Sequence, residues 1–210
     1  MHPKPKLRFN WKKALDKAHS INKKIFKRNA SYRYIICRTQ QLFDAYHKSN
    51  FNDSYYAVVI DDLLVFKSIP MLKRMEKDIS TQQINKLIIH EMNHIFWNQH
   101  RLRDIVWIEE GFADYIAKSD HNLSRQKLKE IINKHDITNN VLYEHCYDAP
   151  ENEIYKQHNY IIWANFVANL IKKYNTDTLL NMIKNYRLHK NIFKNHFDKW
   201  LRLIKDSPTK

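Results

Sequence analysis

The sequence has little cysteine and no long apolar run. Among its 210 residues only Cys37 and Cys146 are cysteines, which excludes a disulfide framework and favours a reducing, cytoplasmic setting. The most apolar stretch, 161–171, contains Asn165 and Asn169 and is too short and too polar to cross a bilayer. No apolar segment follows the basic first residues, so we expect neither a signal peptide nor a transmembrane segment. Export by a route that needs no signal peptide is the alternative to a cytoplasmic location.

Acidic residues and glycine are also scarce. The formal net charge is +14 and the chain has one glycine. A basic excess of this size is typical of proteins that bind a polyanion. However, the whole chain is rich in Lys, Asn and Ile, a bias that an AT-rich genome also produces. No nucleic-acid-binding motif is present, so nucleic acid is not the partner we expect.

Length and patterning predict an α+β fold. The length fits one domain over 1–210, built from a helix–strand–helix segment (1–50), a hairpin with the site helices (51–118) and a helical part (119–210). Apolar runs flank Asp61-Asp62 and predict a β-hairpin, although the pattern does not say which of its strands lies at the sheet edge. Apolar spacing predicts a strand over 31–38 and helices over 10–28, 40–48, 123–135, 153–174, 176–186 and 191–205, with Thr176 or Asp177 as the cap of the helix over 176–186.

Residues 90–94 form an H-E-x-x-H run. Side chains four apart lie on one face of a helix, so His90 and His94 can converge on one Zn²⁺. Glu91 follows the first histidine and can act as a general base toward water beside the metal.

The residues around this run predict the helix that its chemistry needs. Ser80 or Thr81 is a suitable N-cap, and Gln83 stands three residues after Ser80 as in a capping box. The apolar residues that follow have a period close to 3.6 residues; they are Ile84, Leu87, Ile88, Met92, Ile95 and Phe96.

A second run, 107–115, offers carboxylates. Two histidines leave a hydrolytic zinc one protein ligand short. Glu110 follows His94 after fifteen residues, enough to leave one helix and enter another. Asp114 lies one turn beyond Glu110 and can accept the outer N–H of a ligand imidazole. The alternative is that Asp114 is a solvated residue on an exposed helix face.

Together, H-E-x-x-H and W-x-x-E-G-x-A-x-Y resemble the gluzincin metallopeptidases, and within them the aminopeptidase N-like branch. The resemblance implies a thermolysin-like zincin domain with one zinc and a sheet whose edge strand pairs with an extended substrate. Glu109 fits the motif less well than Glu110, because the family's glutamate directly precedes the glycine. The implied roles are zinc ligation by His90, His94 and Glu110, general base catalysis by Glu91, and support of a ligand histidine by Asp114.

The segment 160–175 carries a further resemblance to this branch. Tyr160 stands where the family has a tyrosine that binds the oxyanion of the reaction, and Asn175 stands where the family usually has glycine. Tyr155 is the other candidate, and with twelve tyrosines in the chain Tyr160 could also be a packing residue. No G-x-M-E-N-like run is present, so the amine recognition of true aminopeptidases does not transfer.

These observations predict a zinc-dependent peptidase that acts on peptides or proteins. The alternative is a non-catalytic binding or regulatory protein on a gluzincin-like scaffold, whose basic N-terminal helix binds a polyanion. The choice between endo- and exopeptidase, the substrate and the oligomeric state are left open by the sequence.

Overall fold

The chain has a mixed α+β structure in which helices predominate, as predicted. The structure, a computed structural model, describes residues 9–47, 55–102, 105–119, 123–142 and 156–207. Two compact units divide the chain, residues 1–99 and 100–210. One domain over 1–210 stays a prediction. Within the described ranges, no helix combines the length and the apolarity needed to cross a membrane.

The first unit contains a three-stranded sheet and four helices within its described residues. Its elements are α1 (Trp11–Phe26), β1 (Arg33–Cys37), α2 (Gln40–His47), β2 (Ala57–Ile60), β3 (Leu63–Lys67), α3 (Ile69–Met75) and α4 (Thr81–Gln99). The strand order is β1-β3-β2, with β1 parallel and β2 antiparallel to β3. The predicted hairpin is therefore confirmed, and β2 is its strand at the sheet edge.

The hairpin turn is made by two aspartates without glycine. Asp61 has a φ of 54°, a left-handed conformation that Asp tolerates better than most residues. Arg33 at the start of β1 donates to both carboxylate oxygens of Asp62, at 3.1 and 2.7 Å. This guanidinium holds the pKa of the Asp62 carboxyl below its ordinary value. The ion pair therefore joins the turn to the neighbouring parallel strand.

Helix α4 begins with the predicted capping box. The Ser80 hydroxyl accepts from the Gln83 backbone N–H at 3.1 Å, and the Gln83 side chain accepts from the Ser80 N–H at 2.7 Å. The apolar face of α4 is buried, and α4 packs on α1, β2 and β3. At the α1 contact, the rings of Phe26 and Phe96 are 5.5 Å apart.

The second unit is helical throughout its described residues. Its elements are α5 (Val106–Ala117), α6 (Arg125–Lys134), a 3₁₀ turn (Asn139–Val141), α7 (Gln157–Tyr174), α8 (Thr176–Lys184) and α9 (Tyr186–Lys205). Aromatic rings fill its core: Phe166 of α7 contacts Trp107 of α5 at 5.5 Å and Phe197 of α9 at 4.9 Å between centroids. The Trp163 indole also donates to the Val141 carbonyl, at 2.6 Å.

Most element ends differ from the predictions by one or two residues, and two helix starts differ for a visible reason. The cap of α8 is Asn175, whose side chain accepts from the Thr178 N–H at 3.0 Å, so the assignment to Thr176 or Asp177 is wrong. Asn175 has a φ of 59°, which lets it end α7 and start α8 at once. Helix α9 begins at Tyr186 and not at 191, since Tyr186 packs its ring on Phe193 at 5.6 Å. The start of the predicted helix over 153–174 lies outside the described residues up to position 155.

The one glycine of the chain lies where α5 crosses α7. A Cβ at Gly111 would stand 2.7 Å from the carbonyl carbon and oxygen of Trp163 and 2.9 Å from a methyl of Val167. Such distances are far below van der Waals contact, and two of the three atoms are backbone. The absence of a side chain at Gly111 therefore sets the distance between the two helices.

We expect Gly111→Ala to destabilise the protein although alanine is the better helix former. Alanine gains about 1 kcal/mol in helix propensity, but overpacking costs roughly 1–3 kcal/mol when backbone must move. Because two of the three contacted atoms are backbone, we expect the overpacking cost to exceed the propensity gain, with a net fall of up to about 2 kcal/mol in the free energy of unfolding, measured by urea denaturation. Asn169→Ala, at an exposed position of α7, is the matched control and should change stability little. An unchanged midpoint for Gly111→Ala would show that α5 and α7 are not held this closely.

Candidate metal centre

Helix α4 brings the two predicted histidines together. His90 and His94 are one turn apart, and their Nε2 atoms are separated by 3.1 Å. The ring centroids lie 4.9 Å apart with the planes at 68°. The distance between the Nε2 atoms is also that of a hydrogen bond, so the pair can hold this arrangement without a metal. The two Nε2 atoms therefore already lie in one region of space.

Glu110 of α5 completes a group that could hold a metal ion. One donor atom from each of His90, His94 and Glu110 lies within 4.8 Å of the other two. In tetrahedral zinc sites, ligand atoms about 2.0–2.1 Å from the metal lie roughly 3.4 Å from one another. The 3.1 Å between the two histidine nitrogens is close to that spacing. Two imidazoles and one carboxylate are also the donor set of hydrolytic zinc sites that keep a position open for water.

Glu91 follows His90 on α4 and is neither fully buried nor fully exposed. Successive residues of a helix are about 100° apart around its axis, so Glu91 lies beside the ligand face and not on it. A carboxylate in this position is close to the ligands without being one of them. This placement is compatible with a proton acceptor at the site, a role that stays a prediction.

Asp114 is buried, with 5% of its surface exposed. It lies one turn after Glu110 on α5, and its backbone carbonyl accepts from Lys118 and Ser119 at the end of that helix. The alternative that Asp114 is a solvated residue on an exposed face is therefore wrong. A buried carboxylate is costly unless it is paired, which favours a structural or supporting role. Its contact with a ligand histidine stays a prediction.

Tyr160 lies in the first turn of α7, partly buried, with its ring 5.1 Å from that of Trp163. Trp163 is the residue whose backbone meets Gly111, and Gly111 directly follows Glu110. Tyr160 is thus one helical turn from Trp163, where α7 contacts the part of α5 that contains Glu110 and Gly111. Its catalytic role stays a prediction, and Tyr155 lies outside the described residues.

The role of Gly111 was not predicted. A glycine inside a helical pattern costs about 1 kcal/mol relative to alanine. As the one glycine of the chain, placed between Glu110 and Phe112, it carried a signal that a close helix contact was needed there. That contact fixes the position of α5, the helix that contains Glu110, relative to α7.

We expect the purified protein to bind about one zinc ion per chain, measured by elemental analysis. His94→Ala and Glu110→Gln should lose the metal, because each removes one of three protein donors. Glu109→Gln is the matched control on α5 and should retain it. A folded wild-type protein that takes up no zinc would contradict the site, and zinc loss in Glu109→Gln would move the carboxylate ligand to Glu109.

Asp114→Asn should give a folded protein that releases zinc more readily. The substitution keeps the shape but removes the charge that makes a ligand imidazole a better donor, and changes of this kind typically cost 10–100-fold in affinity or activity. Titration with a chelator measures the effect, which should be milder than that of His94→Ala. Release of zinc by Asp114→Asn and the wild type at the same chelator concentration would contradict the supporting role.

Comparison with known proteins adds no family to this geometry. No protein-family model, curated protein or solved structure matches the chain. The gluzincin resemblance therefore depends on the residues of the two motifs, and the grouping of His90, His94 and Glu110 is a separate observation that supports a metal site.

Proposed function

We propose that this chain is a zinc-dependent metallopeptidase with a thermolysin-like, gluzincin arrangement. One observation carries the proposal. Donor atoms of His90, His94 and Glu110 lie within 4.8 Å of one another, and Glu91 directly follows His90 in the sequence. A bare metal site has no need of Glu91, whereas hydrolysis needs a base at that place. We further propose a cytoplasmic protein with a peptide or protein as its substrate.

In this mechanism His90, His94 and Glu110 would hold the ion, and Glu91 would move the proton. Zinc, when bound, supplies a Lewis acid that polarises the scissile carbonyl and makes water more acidic. The Glu91 carboxylate accepts a proton from the attacking water and then delivers it to the nitrogen of the leaving amine. The Tyr160 hydroxyl donates a hydrogen bond to the carbonyl oxygen as that oxygen gains negative charge.

Strand β2 offers a place for the substrate backbone. It is an edge strand of the sheet, and α4 packs against both β2 and β3. An extended peptide added along β2 would receive main-chain hydrogen bonds whatever its side chains are. It would also run beside the helix that carries His90 and Glu91. This mode suits cleavage within a chain, and the sequence shows no motif that would hold a free amino terminus.

Glu91→Gln should bind zinc and fold normally but lose turnover by roughly 10²–10⁴-fold, since the amide cannot accept the proton. A mixed peptide library analysed by mass spectrometry measures cleavage and shows where substrates are cut. His94→Ala is the control that loses both metal and activity. Equal cleavage by Glu91→Gln and the wild type would assign the activity to a contaminating protease and contradict the mechanism.

One observation favours the alternative of a non-catalytic polyanion-binding protein. Lysines at positions 13, 17, 23 and 24 are exposed on α1, and none of them forms an ion pair with the described residues. Binding through such a helix would weaken steeply as salt is added. Salt-dependent binding of a polyanion together with no cleavage of any peptide would favour this function over hydrolysis.

A further inference from the structure

Two asparagines form a buried hydrogen bond between α1 and α4. Asn22 and Asn93 each have 0% of their surface exposed, and the Asn93 amide donates to the Asn22 Oδ1 at 2.8 Å. The Asn22 amide donates to the Ala18 carbonyl of its own helix at 3.1 Å and to the Ile89 carbonyl of α4 at 3.3 Å. Asn22 therefore contacts α4 at two points one helical turn apart.

These two points bracket the first histidine. Ile89 directly precedes His90, and Asn93 directly precedes His94. Apolar contacts are not directional, so they define the rotation of the buried face of α4 less sharply than hydrogen bonds do. Hydrogen bonds weaken steeply when their angles are wrong. Two such bonds at residues 89 and 93 therefore limit rotation of α4 where its ligands emerge.

The pair does not serve stability alone. The Oδ1 atom of Asn93 is buried and has no hydrogen-bond partner among the residues that the structure describes, so burial of this amide is incompletely compensated there. Replacing both members of a buried polar pair by apolar groups of similar shape is often nearly neutral. In coiled coils, a single buried asparagine specifies helix register at a cost in stability. The same physics applies to two helices packed within one chain.

We propose that Asn22 is a positioning residue for the metal centre. Its amide restrains the rotation of α4 and therefore sets the direction in which His90 and His94, with their Nε2 atoms 3.1 Å apart, face a shared ion. Asn22 touches neither metal nor substrate and acts through Ile89 and Asn93. This inference rests on the proposed metal site but not on peptide hydrolysis.

Titration of the metal-free full-length protein with Co²⁺ tests it, because visible absorption reports both affinity and coordination geometry. Asn22→Leu should weaken Co²⁺ binding about tenfold, the low end for residues that orient ligands, and should alter the spectrum. Asn22→Ser, whose hydroxyl is too short to reach Asn93, is the milder variant should Asn22→Leu not fold. Leu15→Ala removes buried packing from the same helix and should lower thermal stability without changing affinity or spectrum.

A double variant, Asn22→Leu with Asn93→Leu, separates positioning from stability. It should regain stability over Asn22→Leu alone, because neither helix is left with an unpaired amide. Its Co²⁺ affinity should stay about tenfold weaker than that of the wild type, because the hydrogen bonds of Asn22 to Ile89 and Asn93 are absent. The proposal would be overturned if the double variant regained Co²⁺ affinity together with stability. It would also be overturned if folded Asn22→Leu and Asn22→Ser bound Co²⁺ with normal affinity. In both cases the metal site itself would stand. A wild type that binds no Co²⁺ would overturn both.

Discussion

The hydrogen-bonded turn of α4 between His90 and His94 is the constraint on which the site depends. An α-helix places side chains four apart on one face, and this turn brings two imidazole nitrogens to 3.1 Å. The helix begins at a complete capping box at Ser80 and Gln83, and its apolar face is buried. The ligand spacing is thus a property of regular, well-anchored secondary structure and not of a loop.

The position of the Glu110 carboxylate depends on a different contact. Glu110 belongs to α5, which lies unusually close to α7 because Gly111 has no side chain. Asp114, one turn further, is buried on the same helix. The hydrogen bond between Asn22 and Asn93 restrains α4. The close approach of the Trp163 backbone to Gly111 restrains α5. Helix α4 and helix α5 are therefore each held, within their own unit, by contacts that tolerate little adjustment.

Local sequence signals predicted the parts of this structure that local physics determines. The capping box of α4, the Asp61-Asp62 hairpin and the mixed α+β class were all predicted, because each depends on residues close in the chain. The grouping of Glu110 with the histidines was expected from the resemblance of the two motifs to the gluzincins, and the spacing alone did not separate Glu110 from Glu109. The Asn22–Asn93 bond joins residues 71 positions apart, and no spacing rule connects them. The Asn175 cap was missed since one residue both ends α7 and starts α8.

X-ray absorption at the zinc edge of the metal-loaded protein tests the central claim most directly. The account predicts a first shell of nitrogen and oxygen atoms at about 2.0–2.1 Å, with the outer-ring scattering of two imidazoles. In Glu110→Gln, any zinc retained at high concentration should keep both imidazoles and lose one oxygen. A shell that contains sulfur, or one without imidazole scattering, would contradict the assignment of the metal to His90, His94 and Glu110.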